Sequence, residues 1–290
     1  MSGPEPFVDR LGAAVERLGP LCVGLDPHPA LLERWGLPVT VDGLERFAET
    51  VVAATAGQVA VVKPQVAFFE PFGSAGLAVL ERVIARLRES GTLVIADVKR
   101  GDVGSTMAGY ARAWLGPESP LYSDAMTASP YLGFHSLDPA IDAATAAGGA
   151  VFVLARNSNP EATQLQSAVL PDDDGRVDGS RPTIAQHIVD RAAALDAEAP
   201  APVIGLVVGA TGDDATHPEL AGFPGPVLAP GLGAQGATAA DIARRFANVR
   251  GTVLPAASRS VLAAGPAVAD VTAAALRLRD ELADATARAR

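Results

Sequence analysis

Short runs of apolar residues, many of them rich in valine, recur along the chain and alternate with segments of helical periodicity. Most of these runs are continuously apolar, which is typical of parallel strands that are covered on both faces. Between the first two runs, apolar positions at helical spacing predict a helix capped at Asp42. The runs predict eight strands: Leu21–Leu25, Val59–Lys63, Leu93–Lys99, Ala125–Thr127, Ala150–Ala155, Val203–Gly209, Val227–Pro230 and Thr252–Ala256.

Eight strands that alternate with helices predict an α/β fold, a closed (β/α)8 TIM barrel built as one domain from residues 1–290. Residues 1–19 predict an extra N-terminal helix and residues 266–288 the last helix. The acidic, glycine-rich segment 169–182 predicts an exposed insertion after strand five. Within it, Asp172–Asp174 lack the ordered spacing of a calcium loop and predict a solvated acidic stretch. The alternative fold is a doubly wound open sheet.

The composition of the chain limits the classes of function that it can have. The chain has 290 residues, 49% of them hydrophobic, which is enough for one large core. Its 23 basic and 33 acidic residues give a net charge of −10, which repels nucleic acids and anionic membranes, so neither is an expected partner. No apolar run reaches the length of a spanning helix, and the first residues lack a secretory pattern. With Cys22 as its single cysteine, the chain is predicted to be a reduced, cytoplasmic protein.

Charged residues end several of the predicted strands, where the active site of a barrel enzyme lies. Asp26 ends the first strand, Lys63 the second, and Asp97 and Lys99 the third, with Asp102 just beyond. Residues i and i+2 of a strand share a face, so Asp97 and Lys99 are predicted to stand together inside the barrel mouth. Charges there are costly unless they are paired, and a carboxylate between two ammonium groups keeps all three ionised.

A glycine-rich segment after the seventh strand, Gly231–Gly236, formally matches the dinucleotide motif G-x-G-x-x-G. We reject a dinucleotide site because the acidic residue expected about 20 positions later is absent. In a barrel, the loops after strands seven and eight commonly bind phosphate, and Arg259 follows strand eight. The four histidines show no metal-binding spacing, and no nucleophile motif is present. We therefore expect neither a metal nor a dinucleotide.

The segment Asp97-Val-Lys99-Arg-Gly-Asp102-Val-Gly-Ser-Thr106 closely resembles the D-x-K-x-x-D-x-x-x-T signature of the orotidine 5′-phosphate decarboxylase family. The resemblance extends over residues 7–262, and the longer form with its KPQ strand looks like a subgroup found in actinobacteria and some other bacteria. Further segments follow in the family's order: Gly24-Leu-Asp26-Pro, Lys63-Pro-Gln-Val-Ala-Phe-Phe-Glu70, Ser158-Asn-Pro160, Pro230-Gly-Leu-Gly-Ala-Gln235-Gly and Ser258-Arg259.

This resemblance implies a cofactor-independent reaction of de novo pyrimidine biosynthesis, the conversion of orotidine 5′-monophosphate (OMP) to uridine 5′-monophosphate (UMP) and CO₂. It implies that Lys99 stabilises the charge developing at C6 of the pyrimidine and then protonates that carbon. Asp97 is expected against the substrate carboxylate, and Lys63 and Asp102 extend the alternating chain of charges. The expected partners are thus the substrate OMP and the product UMP.

The resemblance also assigns binding residues. Asp26, Lys63 and Thr106 are expected to hold the ribose, Ser158 the pyrimidine edge, and Gln235 with Arg259 the phosphate, while Pro230 and Ser258 belong to the matching segments around the phosphate. In this family Asp102 and Thr106 act across a subunit interface, which implies a homodimer. Two positions depart from the family pattern: Ser258 replaces a common glycine, and Asn157 replaces the subgroup's usual threonine.

Three other functions remain open from the sequence. A magnesium-dependent sugar-phosphate decarboxylase or aldolase-like relative shares the D-x-K-x-x-D barrel, but its metal needs a carboxylate at the end of strand two, where this chain has Lys63. A Schiff-base aldolase is disfavoured because a lysine held beside carboxylates stays protonated. A non-catalytic phosphosugar-binding barrel would bind ligand without turnover.

Overall fold

A computed structural model of the chain describes residues 3–171, 181–212 and 216–289. Its strands are parallel and close into a barrel in chain order, with the first strand paired to the last. The predicted TIM barrel is confirmed, and each strand begins and ends within two residues of its prediction. The strands are β1 Cys22–Leu25, β2 Val61–Pro64, β3 Leu93–Arg100, β4 Ala125–Ala128, β5 Ala150–Arg156, β6 Ile204–Val208, β7 Val227–Pro230 and β8 Val253–Ala257.

The α-helices of the described residues surround this barrel, apart from the first, which lies at its lower end. Short 3₁₀ turns at Val66–Phe68, Glu70–Phe72 and Phe134–Leu137 complete the connections. The helices are α1 Phe7–Leu18, α2 Pro29–Arg34, α3 Val41–Thr55, α4 Gly73–Glu89, α5 Gly104–Leu115, α6 Asp138–Ala147, α7 Ala162–Gln166, α8 Ile184–Glu198, α9 Ala239–Arg245, α10 Arg259–Leu262 and α11 Val268–Ala289.

The cap of helix α3 lies two residues earlier than predicted. The hydroxyl of Thr40 accepts a hydrogen bond from the backbone N–H of Gly43 at 3.3 Å, so Thr40 is the cap and Asp42 lies in the first turn. The prediction of a cap at Asp42 was wrong because two residue types suited to capping stand close together. Asp42 instead faces Arg46 at the next turn, 3.8 Å away.

The apolar residues form two layers separated by the barrel wall. One layer fills the space between strands and outer helices, and the other lies inside the barrel, because successive strand residues point to opposite sides. Phe7 and Leu11 of α1 belong to the inner layer, where the Phe7 ring packs edge-on against Phe152 with centroids 5.9 Å apart. Helix α1 therefore closes the N-terminal end of the barrel, and the polar lumen residues lie at the opposite end.

The predicted insertion begins and ends at a short antiparallel contact. Val169 pairs with Thr183, and the backbone N–H of Leu170 donates to the carbonyl of Pro182 at 3.1 Å. Residues 172–180, including the acidic stretch Asp172–Asp174, lie outside the described residues. None of the helices in the described ranges is long and apolar enough to cross a membrane.

Candidate active site

A cavity of about 300 Å³ opens at the C-terminal ends of the strands. All eight strands or the loops that follow them contribute residues to its lining, and the lower lumen beneath is apolar. Its position is the one at which barrel enzymes bind their substrates. The lining contains nine of the eleven residues that the sequence assigns to catalysis or binding: Asp26, Lys63, Asp97, Lys99, Ser158, Pro230, Gln235, Ser258 and Arg259.

At the base of the cavity, Asp97 stands between the two lysines. Its Oδ2 lies 2.5 Å from Nζ of Lys63, and its Oδ1 lies 2.6 Å from Nζ of Lys99. The hydroxyl of Thr127 on β4 also donates to Oδ1, at 2.9 Å. These are the only two lysines in the chain, whose remaining basic residues are all arginine. An ammonium group is a compact donor that can release its proton, whereas arginine stays protonated.

Lys63, Asp97 and Lys99 form one charged cluster, and their pairing keeps its two buried members, Lys63 and Asp97, ionised. Burial raises the pKa of Asp97, but the charges of Lys63 and Lys99 outweigh it and hold that pKa at about 2. Burial lowers the pKa of Lys63, and here the carboxylates of Asp97 and Asp26 more than compensate, so that its pKa is raised above the ordinary value. Lys63 and Asp97 therefore stay charged at neutral pH, deep in the barrel mouth.

Lys99 is set apart from Lys63 by the backbone. The pairing of β3 with β4 shifts register between Ala96 and Arg100, and Lys99 has a φ of +47°, a left-handed conformation that is uncommon outside glycine. Its N–H donates to the hydroxyl of Thr127 at 2.9 Å, which anchors the kink. The Lys99 side chain is 41% exposed against 10% for Lys63, so Lys99 reaches into the cavity while Lys63 is enclosed.

Two loops meet above the cluster. Ser158, in the loop after β5, donates its hydroxyl hydrogen to Oε1 of Gln235 in the loop after β7, at 2.8 Å. This hydrogen bond joins residues 77 positions apart and spans the upper part of the cavity. A ligand that touches both loops therefore contacts groups that are already connected to each other.

The backbone conformation of the loop after β7 explains why the loop is rich in glycine. Gly231, Gly233 and Gly236 have φ angles of +116°, +72° and +100°, all in the region that favours glycine. A Cβ on Gly233 would come within 2.2 Å of the hydroxyl of Ser260, which also accepts from the N–H of Ala234 at 3.3 Å. The loop therefore lies directly against the start of α10, where Arg259 stands exposed at the cavity edge.

Asp102 and Thr106 do not line the cavity of this chain. Asp102 lies in the loop after β3, where its carboxylate accepts from the N–H of Val103 at 2.8 Å, and Thr106 is exposed in the first turns of α5. Val103 is exposed, as are Tyr131 and Leu132 in the loop after the neighbouring strand β4. The loops that follow β3 and β4 thus both expose large apolar side chains.

Four polar cavity residues received no role from the sequence: Gln65, Thr127, Asn157 and Asn159. A signal existed for Gln65, which follows Lys63 by two positions and so shares its face of the chain. No comparable signal singled out Thr127, whose role depends on the register between β3 and β4. Within the described ranges, no group of three or more histidine, cysteine or acidic side chains is placed to hold a metal ion.

Comparisons with known proteins agree on one family. The model of the orotidine 5′-phosphate decarboxylase / HUMPS family matches residues 19–274. The orotidine 5′-phosphate decarboxylase of Salinispora arenicola is 57% identical over 275 residues, which cover 94% of this chain and 96% of the relative. That of Corynebacterium glutamicum is 53% identical over 269 residues, covering 91% and 93%.

Solved structures give the same result. A Streptomyces avermitilis crystal structure named for orotidine 5′-phosphate decarboxylase superposes with a TM-score of 0.91 at 50% identity, and the match covers 99% of this chain and 98% of the other. OMP decarboxylase of Leishmania donovani superposes with a TM-score of 0.73 at 30% identity, covering 97% and 99%. The similarity therefore includes the whole barrel, the strand ends that form the cavity among them.

Proposed function

This chain belongs to the orotidine 5′-phosphate decarboxylase family and converts OMP to UMP and CO₂ in UMP biosynthesis, and we propose that Lys99 donates the proton that replaces the carboxylate at C6. When the bond from C6 to the carboxylate breaks, its electron pair stays on C6, in the plane of the ring and outside the π-system. A cation held at that carbon stabilises the developing charge and then delivers a proton to it.

The single observation that carries this assignment is the difference in exposure between the two lysines. Both contact Asp97, but the side chain of Lys63 is enclosed, whereas 41% of the Lys99 side chain is exposed towards the cavity. Lys63 therefore serves to keep Asp97 ionised. Of the two lysines, Lys99 is the one more accessible to a ligand in the cavity.

We assign Asp97 the position beside the substrate carboxylate. Its negative charge is fixed by Lys63, Lys99 and Thr127, so that it need not reorganise during the reaction. The carboxylates of Asp97 and of the substrate face each other, and the departure of neutral CO₂ removes the negative charge of the substrate carboxylate from this pair. The electron pair stays on C6, where the ammonium of Lys99 compensates its charge. The charges of the cluster thus favour the product side of the bond-breaking step.

The remaining cavity residues are assigned to the three parts of the nucleotide. The glycine-rich loop with Gln235 and Arg259 would hold the phosphate, and Ser158 the pyrimidine edge. Asp26 would accept from a ribose hydroxyl with Lys63 beside it, because Asp26 Oδ1 is buried without a hydrogen-bond partner among the described residues. Pro230 and Ser258 line the phosphate end of the cavity.

We propose a homodimer in which Asp102 and Thr106 complete the site of the partner subunit. Both residues lie outside this chain's own cavity, and large apolar side chains are exposed at Val103 in the same loop and at Tyr131 and Leu132 in the loop after the neighbouring strand. Exposed apolar side chains favour contact with another protein surface. We further propose that residues 1–290 form one domain, and that the enzyme works in the cytoplasm, where the buried Cys22 stays reduced.

The loss of the orotate chromophore during turnover tests the reaction and the role of Lys99 together. We expect EDTA to leave kcat unchanged, since Lys63 occupies the strand end at which metal-dependent relatives would need a carboxylate. We expect Lys99→Ala to lose at least about 10²–10⁴-fold in kcat while it still binds UMP. Activity that depends on added Mg²⁺ would contradict the metal-free mechanism. Near-native turnover by Lys99→Ala would exclude it as the acid.

A further inference from the structure

Gln65 has no part in the roles assigned above, yet its side chain lies within the charged cluster. Its backbone is fixed on both sides: the N–H donates to the carbonyl of Leu25 on β1 at 3.1 Å, and the residue pairs with Asp97 of β3 in a parallel bridge. It follows Lys63 by two positions and lines the same cavity. The Gln65 side chain thus stands one layer above Lys63, beside Lys99.

The amide of Gln65 bridges two members of the cluster. Of its two orientations, the one that satisfies both neighbours turns Nε2 towards Asp97 and Oε1 towards Lys99. In that orientation Nε2 donates to Asp97 Oδ2, and Oε1 accepts from Nζ of Lys99 at 3.1 Å. The amide therefore supplies one donor to the anion and one acceptor to the cation, which no charged side chain of this length does.

This bridge restricts the ammonium of Lys99. Among the described residues, the side-chain hydrogen bonds of Lys99 go to Asp97 Oδ1 and to Oε1 of Gln65. A long, partly exposed lysine side chain otherwise samples many rotamers, so that its ammonium group would occupy many different positions. With two N–H groups directed to fixed acceptors on one side, the third is left for the cavity.

We propose that Gln65 is a positioning residue, which orients the Lys99 ammonium for proton transfer to C6. The inference rests on the proposed role of Lys99 as the acid. It also explains why a neutral amide suits this position. A carboxylate there would still accept from Lys99, but it would repel Asp97 and could not donate to it unless protonated.

The first test compares Gln65→Met with the native enzyme. Methionine has nearly the same length and volume but forms neither hydrogen bond. We expect kcat to fall about 10- to 150-fold, the range for one hydrogen bond to a charged group. The KM for OMP and the Kd for UMP should stay within about threefold of native, because orientation of the acid acts on the chemical step. Gln58→Met, at an exposed glutamine before β2, is the matched control and should behave as native.

The second test uses the pH dependence of Gln65→Glu. Only when protonated does the introduced carboxyl reproduce the donor and the acceptor of the amide. The ratio of its kcat to the native kcat should therefore rise as the pH falls from about 8 to about 5. A merely structural role gives a ratio that does not change with pH, and that result would overturn the proposal.

The third test observes the ammonium itself. With two lysines in the chain, ¹⁵N-lysine labelling gives two side-chain signals, and Lys99→Ala identifies the one from Lys99. In UMP-bound Gln65→Met we expect the Lys99 signal to shift or broaden through faster hydrogen exchange, while the Lys63 signal stays in place. An unchanged Lys99 signal, native-like kcat in Gln65→Met, or a KM that rises as much as kcat falls would each refute the proposal. If Lys99→Ala itself retains turnover, the acid assignment fails instead.

Discussion

The carboxylate of Asp97 and the ammonium of Lys99 lie 2.6 Å apart, although both belong to one strand and only one residue separates them. In a regular strand, side chains at i and i+2 stand side by side with Cα atoms about 6.6 Å apart. Here the left-handed conformation of Lys99 and the register shift at the end of β3 accompany the ion pair. A local departure from strand geometry therefore goes together with the contact on which the proposed proton transfer depends.

Removing Arg259 should weaken recognition of the phosphate. We expect Arg259→Ala to lower kcat/KM for OMP about 10- to 150-fold, the range of one charge-assisted contact. Arg250→Ala is the matched control, since this exposed arginine precedes β8 whereas Arg259 follows it, at the opposite end of the barrel. Kinetics with orotidine, which lacks the phosphate, completes the comparison. An equal loss with OMP and orotidine would show that Arg259 does not act on the phosphate.

The hydrogen bond between Ser158 and Gln235 should couple two loops energetically. Either Ser158→Ala or Gln235→Ala removes it, so the double variant should lose less in kcat/KM than the product of the two single losses. We expect a coupling of about 0.5–1.5 kcal/mol, as for one hydrogen bond between neutral groups. A double-mutant cycle measures it. Strictly multiplicative losses would mean that the two loops act independently.

The barrel and most of its charged mouth could be predicted from the sequence. Continuous apolar runs identified the strands, because a buried parallel strand has no polar face to interrupt the run. The period of two within β3 placed Asp97 and Lys99 on one face, and the structure confirms that placement. The cavity also contains nine of the eleven predicted site residues.

Features that depend on tertiary contacts were not predictable. The kink at Lys99 arises where β3 shifts against β4, and no residue type in the segment marks it. Asp124 gave no signal either, because its partners are distant along the chain: Arg10 at 2.5 Å and the N–H of Val94 at 2.9 Å. The cap of α3 was misplaced for a different reason, since Thr40 and Asp42 are both suitable capping residues.

Asp124 should matter for stability and not for turnover. It ties α1 to the N-terminal end of the barrel, opposite the cavity, through its ion pair with Arg10. We expect Asp124→Ala to lower the free energy of unfolding by about 1–3 kcal/mol, less than for a fully buried pair because Arg10 is one quarter exposed. Asp42→Ala, which removes the exposed pair with Arg46, should have a much smaller effect. Chemical denaturation measures both, and a kcat change in folded Asp124→Ala would contradict this role.

Asp196 should make stability depend on pH. Burial raises its pKa to about 6 from an ordinary 3.8, although its Oδ1 accepts from the N–H groups of Val203 and Ile204. The unfolded state ionises first as the pH rises, so this group lowers stability progressively between pH 3.8 and about 6, with the full penalty above. Asp196→Asn keeps the acceptor without the charge. Its unfolding free energy relative to native should rise over that window and then level off, whereas a constant difference would contradict the assignment.

The central claim is that the charges of one chain, Lys63, Asp97 and Lys99, form a complete site only with Asp102 of the partner subunit. Mixing two inactive variants tests it most directly. Lys63→Ala and Asp102→Ala are each expected to be nearly inactive alone. In a mixed dimer, a shared arrangement gives one site with both defects and one site with neither, because symmetry makes the exchange reciprocal.

The measurement is the turnover of OMP after the two variants have exchanged subunits. Mass spectrometry verifies the exchange. Our account predicts about half of the native activity per mixed dimer, hence about a quarter in a fully exchanged equimolar mixture. If Asp102 acts within its own chain, every site keeps one defect and mixing restores nothing. Activity that stays at the level of the separate variants, despite confirmed exchange, would contradict the shared site.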